Sequence, residues 1–187
     1  IHLKKLKKLV PEGCRIIVTG DGEFDGCDWQ EKILAAKWDY VLRTGKNMQI
    51  TERSGAIFKA GNVCLREGET LYFEQVKFTK KEFKTNLFIW HGKGHKEPLI
   101  MVTNMDFAPQ IERFYKKRFK IEPFFRDLKS KGFHINRSGL GEPKRLNRLL
   151  IAACIAYILC ILGSIKAYKS KFYDRIALKD KKLLSLF

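Results

Sequence analysis

The chain has 187 residues, enough for one domain with a real core. Its 45% apolar and 12% aromatic content excludes a disordered polymer. The balance of 37 Lys+Arg against 20 Asp+Glu leaves a net charge of +17, which favours a polyanionic partner: nucleic acid first, an anionic membrane second. Five scattered cysteines (Cys14, Cys27, Cys64, Cys154, Cys160) lack CxxC spacing and read as reduced, mostly buried thiols of a cytoplasmic protein.

The opening His2–Val10 reads as a short basic amphipathic helix, and a start at Ile1 instead of Met suggests a fragment of something longer. Arg15–Gly20 (RIIVTG) is a compact apolar strand that delivers Asp21 at its end. Trp29–Lys37 (WQEKILAAK) is helical in pattern, and WDYVLRT after it is a strand. The unit is strand, acid, helix, strand, with the acid at the carboxyl end where open α/β sheets place their sites. Residues 46–104 then alternate as short strands: MQITER, AIFKAG, TLYFEQVKF, NLFIWHG and PLIMVTN. Turn signals separate them at Ser54-Gly55, Glu67-Gly68 and His91-Gly92-Lys93-Gly94.

Helical pattern returns near Pro109 and runs to Ile165, broken at Ser138–Pro143. From Arg113 to Arg148 there are twelve basic residues against Glu122, Asp127 and Glu142, so about half of the net charge lies here. At roughly 100° per residue, Tyr115, Arg118, Glu122, Arg126 and Lys129 share one helical face. A lone carboxylate among cations and a phenol suits a divalent metal held beside a phosphate backbone; a solvated helix with ordinary salt bridges explains the same pattern. The neighbouring face, with Phe114, Ile121, Phe124, Phe125 and Leu128, is apolar and able to dock on a core. Pro123 removes a backbone donor, so the helix kinks or restarts near it. Leu149–Ile165 is an uncharged run of about seventeen residues, read as a buried core helix in preference to a membrane span. The tail Lys166–Phe187 is basic and helical in pattern.

Tyr, two residues, Arg, three, Glu, six, Lys, within FYKKRFKIEPFFRDLK, resembles the YREK signature of bacterial DDE transposases of the insertion-sequence-four group. GDGEFDG around Asp21 resembles the same family's pattern at its second catalytic aspartate, with Gly22 in place of the usual basic residue. The resemblance implies an RNase H-like (retroviral-integrase-like) α/β core carrying a β-rich insertion at 46–104 and C-terminal helices, all in one domain over 1–187 that is incomplete at its N-terminus. It implies Asp21 and Glu122 as catalytic acids and ligands of Mg²⁺ (or Mn²⁺), with Tyr115, Arg118, Arg126 and Lys129 on DNA. The first catalytic aspartate would be absent. Asp106 is a weaker candidate, because a first strand of such a sheet leads into hairpins, whereas Asp21 leads into a helix and a strand.

The partners implied are double-stranded DNA (transposon ends and target) and a second copy when DNA-bound, with no membrane. A DNA-binding remnant without activity and a membrane-anchored basic protein are the alternatives. His91 and His95, flanking a Gly-Lys-Gly turn, read as a surface hairpin and not a metal site. Trp90 and Tyr72 read as sheet residues, and Glu23 and Asp25 as turn and cap residues.

Overall fold

In the computed structural model, which describes residues 3–79, 81–106 and 108–170, helix α1 (Leu3–Leu9) precedes strand β1 (Ile17–Gly20). A 3₁₀ turn at Gly22–Phe24 leads into α2 (Cys27–Ala35) and then β2 (Asp39–Arg43). The segment 46–104 supplies β3 (Gln49–Thr51), β4 (Ile57–Lys59), β5 (Thr70–Phe78), β6 (Phe83–Trp90) and β7 (Leu99–Thr103). All seven strands form one sheet in the order β1-β2-β7-β6-β5-β3-β4. Only β1 and β2 pair in parallel; every other pairing is antiparallel. The fold is mixed α/β.

The period-2 alternation of strand side chains divides β2, β6 and β7 between two cores. Tyr40, Leu42, Leu87, Ile89, Ile100 and Val102 are buried with Cys27 and Ile33 of α2. Val41, Phe88, Trp90, Leu99 and Met101 are buried on the opposite face with Ile111 and Tyr115 of α3 (Ala108–Arg118). Burial on both faces explains why WDYVLRT and PLIMVTN are continuous apolar runs without polar alternation.

One buried polar network ties these strands together. The Tyr40 hydroxyl donates to Gln30 Oε1 at 2.9 Å and lies 2.9 Å from the Thr85 hydroxyl. Burial pushes the Tyr40 phenol from 10.0 up to about 12, against the hydrogen bond with Thr85, which acts downward. A raised phenol favours the neutral folded form, so its contribution is complete below pH 10 and is lost as pH rises from 10 towards 12. At 1.36 kcal/mol per pH unit, about 3 kcal/mol disappears over that window. Chemical denaturation from pH 9 to 12 should therefore show a steep alkaline loss that is shallower in Tyr40→Phe.

The chain divides into two compact units, Ile1–Lys120 and Ile121–Phe187. The second unit holds α4 (Ile121–Arg126), a π turn at Asp127–Lys131, a 3₁₀ turn at Ile135–Arg137 and α5 (Pro143–Lys169). The helical start is marked by Pro143 at its first turn, where a missing N–H costs nothing. The expected burial of Leu149–Ile165 is not met. Among the described residues only Ala153 of α5 is buried, while Ile151, Ile155, Ile158, Leu159 and Leu162 are exposed. A 27-residue helix is about 40 Å long, and the three short elements before it in its own unit offer too little chain to cover it. By length and composition alone α5 could cross a membrane. Most of the basic tail, from residue 171 on, lies outside the described residues. The cysteines also depart from expectation: all five are free, but only Cys27 is buried and Cys14 and Cys64 are exposed.

Candidate active site

Asp21 follows β1 directly. Its Oδ1 accepts from the Glu23 N–H at 3.2 Å and so caps the Gly22–Phe24 turn, while its carboxylate stays 44% exposed. The approach to it is tight. A Cβ on Gly20 would lie 2.9 Å from both Leu42 Cδ2 and Phe24 Cβ, so a glycine is needed to bring the turn against β2. Asp25 braces the same turn. Its Oδ1 accepts from the Thr44 hydroxyl at 2.7 Å and its Oδ2 from the Gly45 N–H at 3.1 Å, tying the turn to the loop after β2. Asp25 and Glu23 are thus turn residues, as their spacing suggests.

Helix α3 packs on β1, β2 and β6 within the first unit. Its cations lie on aromatic rings: Lys116 over Trp90 at 4.8 Å, and Arg118 over Phe119 at 4.6 Å and Tyr115 at 5.5 Å. Arg118, only 15% exposed, places Nη1 3.9 Å from Asp21 Oδ2. An acid and an arginine from the expected set are therefore neighbours across 97 residues of chain (118 − 21).

Tyr115 departs from its expected place on the cationic surface. It is 0% exposed, edge-on to Phe119 at 5.8 Å, and its hydroxyl lacks a hydrogen bond of normal geometry among the described residues. Burial raises its ionisation above the usual phenol range; the cations Arg118 and Arg43 act downward and Asp21 upward. The hydroxyl consequently sits in the field of an acid and two guanidinium groups. Ile111, four residues earlier, lies in the same core, so the signal for burial was an i,i+4 apolar pair.

The helix is not continuous across these residues. α3 ends at Arg118, the chain turns at Phe119–Lys120, and α4 restarts at Ile121. Pro123 sits in the first turn of α4, where its missing N–H is tolerated, so the break falls before the proline and not at it. Glu122 lies in that same first turn, where exposed amides favour a carboxylate. Glu122, Arg126 and Lys129 are all exposed in the second unit. Arg126 reaches buried Asp127 at 3.6 Å, and Lys129 rides on the π turn, a rare geometry that often marks functional segments. Of the apolar face expected here, Leu128 is buried but Ile121 and Phe125 are exposed. Phe124 packs edge-on against Tyr157 at 5.0 Å.

Asp106 is remote from Asp21 in topology. β7 runs antiparallel to β2, and Asn104 just beyond it bonds Tyr40 N and Asp39 at the start of β2. Asp106 therefore leaves the sheet at the rim opposite Asp21. Both ring nitrogens of His91 lie 2.9 Å from backbone carbonyls, of Leu65 and His95, which makes it a loop clamp. The Tyr72 hydroxyl donates to Met105 O at 2.8 Å.

A divalent ion needs several hard oxygen donors. At this rim Asp21 offers one exposed carboxylate, whereas both oxygens of Asp25 are already engaged. Among the described residues no group of three or more His, Cys, Asp and Glu could hold a metal. One exposed carboxylate does not by itself make a divalent-ion site. No curated protein matches the chain. A family model described as a transposase DDE domain matches residues 3–159.

Proposed function

The chain belongs to the transposase DDE-domain family, a family of DNA-transposing enzymes, and from that premise we propose that it is the C-terminal part of the catalytic core of an insertion-sequence transposase of the insertion-sequence-four group. In this reading it binds transposon ends and target as duplex DNA, and the complete enzyme cuts and rejoins strands at Asp21 and Glu122. The observation that carries the reading is the rim where Asp21, Arg118 and the buried Tyr115 meet. Arg118, Arg126 and Lys129 grip phosphates without reading bases. Tyr115, enclosed as it is, acts as the seat of Arg118.

The sheet supports an RNase H-like core in which 46–104 is an insertion. β1 has one strand neighbour among the described residues, β2, so its other edge can receive a further strand carrying the missing first acid. Asp21, Glu122 and that acid would hold Mg²⁺ or Mn²⁺. Ions bound there would activate the attacking hydroxyl and offset charge on the leaving oxygen. The matched region reaches residue 159, well into the apolar run, which supports α5 as part of the transposase domain; in this reading the enzyme is cytoplasmic, dimerises on DNA and uses no membrane anchor. A second reading, a DNA-binding remnant without activity, is favoured by the Asp21 rim, where Asp21 offers one exposed carboxylate and both oxygens of Asp25 are engaged in the turn.

Binding of a random-sequence duplex over a salt series tests the DNA contact. Replacing Arg118 by Ala should reduce the log–log salt slope by about 0.9, one phosphate contact. An unchanged slope would mean that Arg118 serves a structural role instead.

A further inference from the structure

We propose that Arg43 is a further phosphate-gripping residue of this site, and that Asp25 is the positioning residue that holds it beside Asp21; both parts rest on the DNA-binding reading above. The argument starts from register. β1 and β2 are parallel, with Gly20 opposite Leu42. One step further along both strands, Asp21 comes opposite Arg43. The pleat then sets the faces: Leu42 belongs to the core beneath α2, and Val41 to the core beneath α3. Arg43, two residues after Val41, therefore emerges on the α3 face, and Asp21, two steps after Thr19, shares its parity.

That is the face of Tyr115 and Arg118, and the Arg43 charge does act on the Tyr115 phenol. Its charge also acts on Glu97, which is paired with Lys46 at 2.6 Å. Arg43 itself is exposed. Register thus puts Arg43 on the face that carries Arg118 and the Tyr115 phenol, at the strand end beside Asp21, where a second guanidinium can grip a phosphate.

The loop that follows Arg43 is not free to move. Thr44, buried, gives its hydroxyl to Asp25, and Gly45 gives its N–H to the same carboxylate. Thr44 N also donates to Ile100 O at 2.9 Å, completing the clamp. Asp25 lies four residues after Asp21 in one turn, so its carboxylate couples the position of the acid to that of Arg43.

Salt titration of this 187-residue chain on a random-sequence duplex tests the proposal. Arg43→Ala should leave thermal unfolding unchanged, because the side chain is exposed, and reduce the salt slope by about 0.9. Over a fourfold rise in salt the wild type should then lose about 3.5-fold more affinity than the variant. Asp25→Asn should weaken binding by the wild type and have little further effect in the Arg43→Ala background, a coupling that general loosening of the loop would not produce. An unchanged slope in Arg43→Ala, with Arg118→Ala still lowering it, would overturn this inference and leave the DNA-binding reading standing. Failure of the wild type to bind duplex DNA would overturn both.

Discussion

Replacing Tyr115 by Ala should destabilise the first unit by about 3–5 kcal/mol, the range for truncating a buried aromatic side chain. The ring is fully enclosed among Phe88, Trp90, Met101 and Ile111, and it carries the Arg118 guanidinium at 5.5 Å. Removing it empties a cavity and unseats the arginine together. Tyr115→Phe separates the two roles. Among the described residues the hydroxyl has no hydrogen-bond partner of normal geometry, although Arg118 acts on it, so its loss should change stability by about 1 kcal/mol or less. If that hydroxyl meets a phosphate once DNA is bound, Tyr115→Phe should weaken binding at unchanged stability. Denaturant titration and duplex binding on the two variants measure both effects.

The other large effect concerns catalysis. Two metal ions bridged by a scissile phosphate need more carboxylate than Asp21 and Glu122 supply, and Mg²⁺ surrenders its water reluctantly. The 187-residue chain should therefore bind a supercoiled plasmid carrying the element's ends without nicking it. A longer chain that adds an aspartate-bearing strand beside β1 should cleave. In that longer chain Asp21→Ala or Glu122→Gln should each lower cleavage by more than about 100-fold, since loss of a direct ligand exceeds the 10–100-fold cost of losing its supporting partner. Cleavage by the short chain that depends on Glu122 would show that the acid count is wrong.

The strand–helix–strand unit around Asp21 was legible because RIIVTG and WDYVLRT are short apolar runs on either side of an amphipathic WQEKILAAK. Local pattern suffices there: periods of 2 and 3.6 alternate cleanly. The five strands of 46–104 were legible for the same reason, their turns being marked by Ser54-Gly55, Glu67-Gly68 and the Gly92–Gly94 pair. Their order in the sheet was not, because the placement of β7 between β2 and β6 depends on partners up to some sixty residues apart, such as Val41 and Thr103.

Arg43 was missed on that account. It becomes a site residue only when β2 lies parallel to β1 and its pleat faces α3. The depth of Tyr115 was hidden by a helical wheel drawn through Phe119–Lys120, where the helix stops. No glycine or proline marks that stop, and the one signal, Pro123, belongs to the first turn of the next helix. Asp25 looked like a turn residue, and it is one. Its reach to Thr44 and Gly45 is a tertiary fact that no spacing encodes.

On the proposed reading Asp21 and Glu122 hold divalent ions together. An experimental structure of the longer chain bound to its end DNA with Mn²⁺ measures it most directly. Ligand distances near 2.1 Å and ions about 3.5–4 Å apart should bring the two carboxylates within about 10 Å, with anomalous density between them. Carboxylates farther apart than that, or Mn²⁺ bound to other acids, would contradict the account.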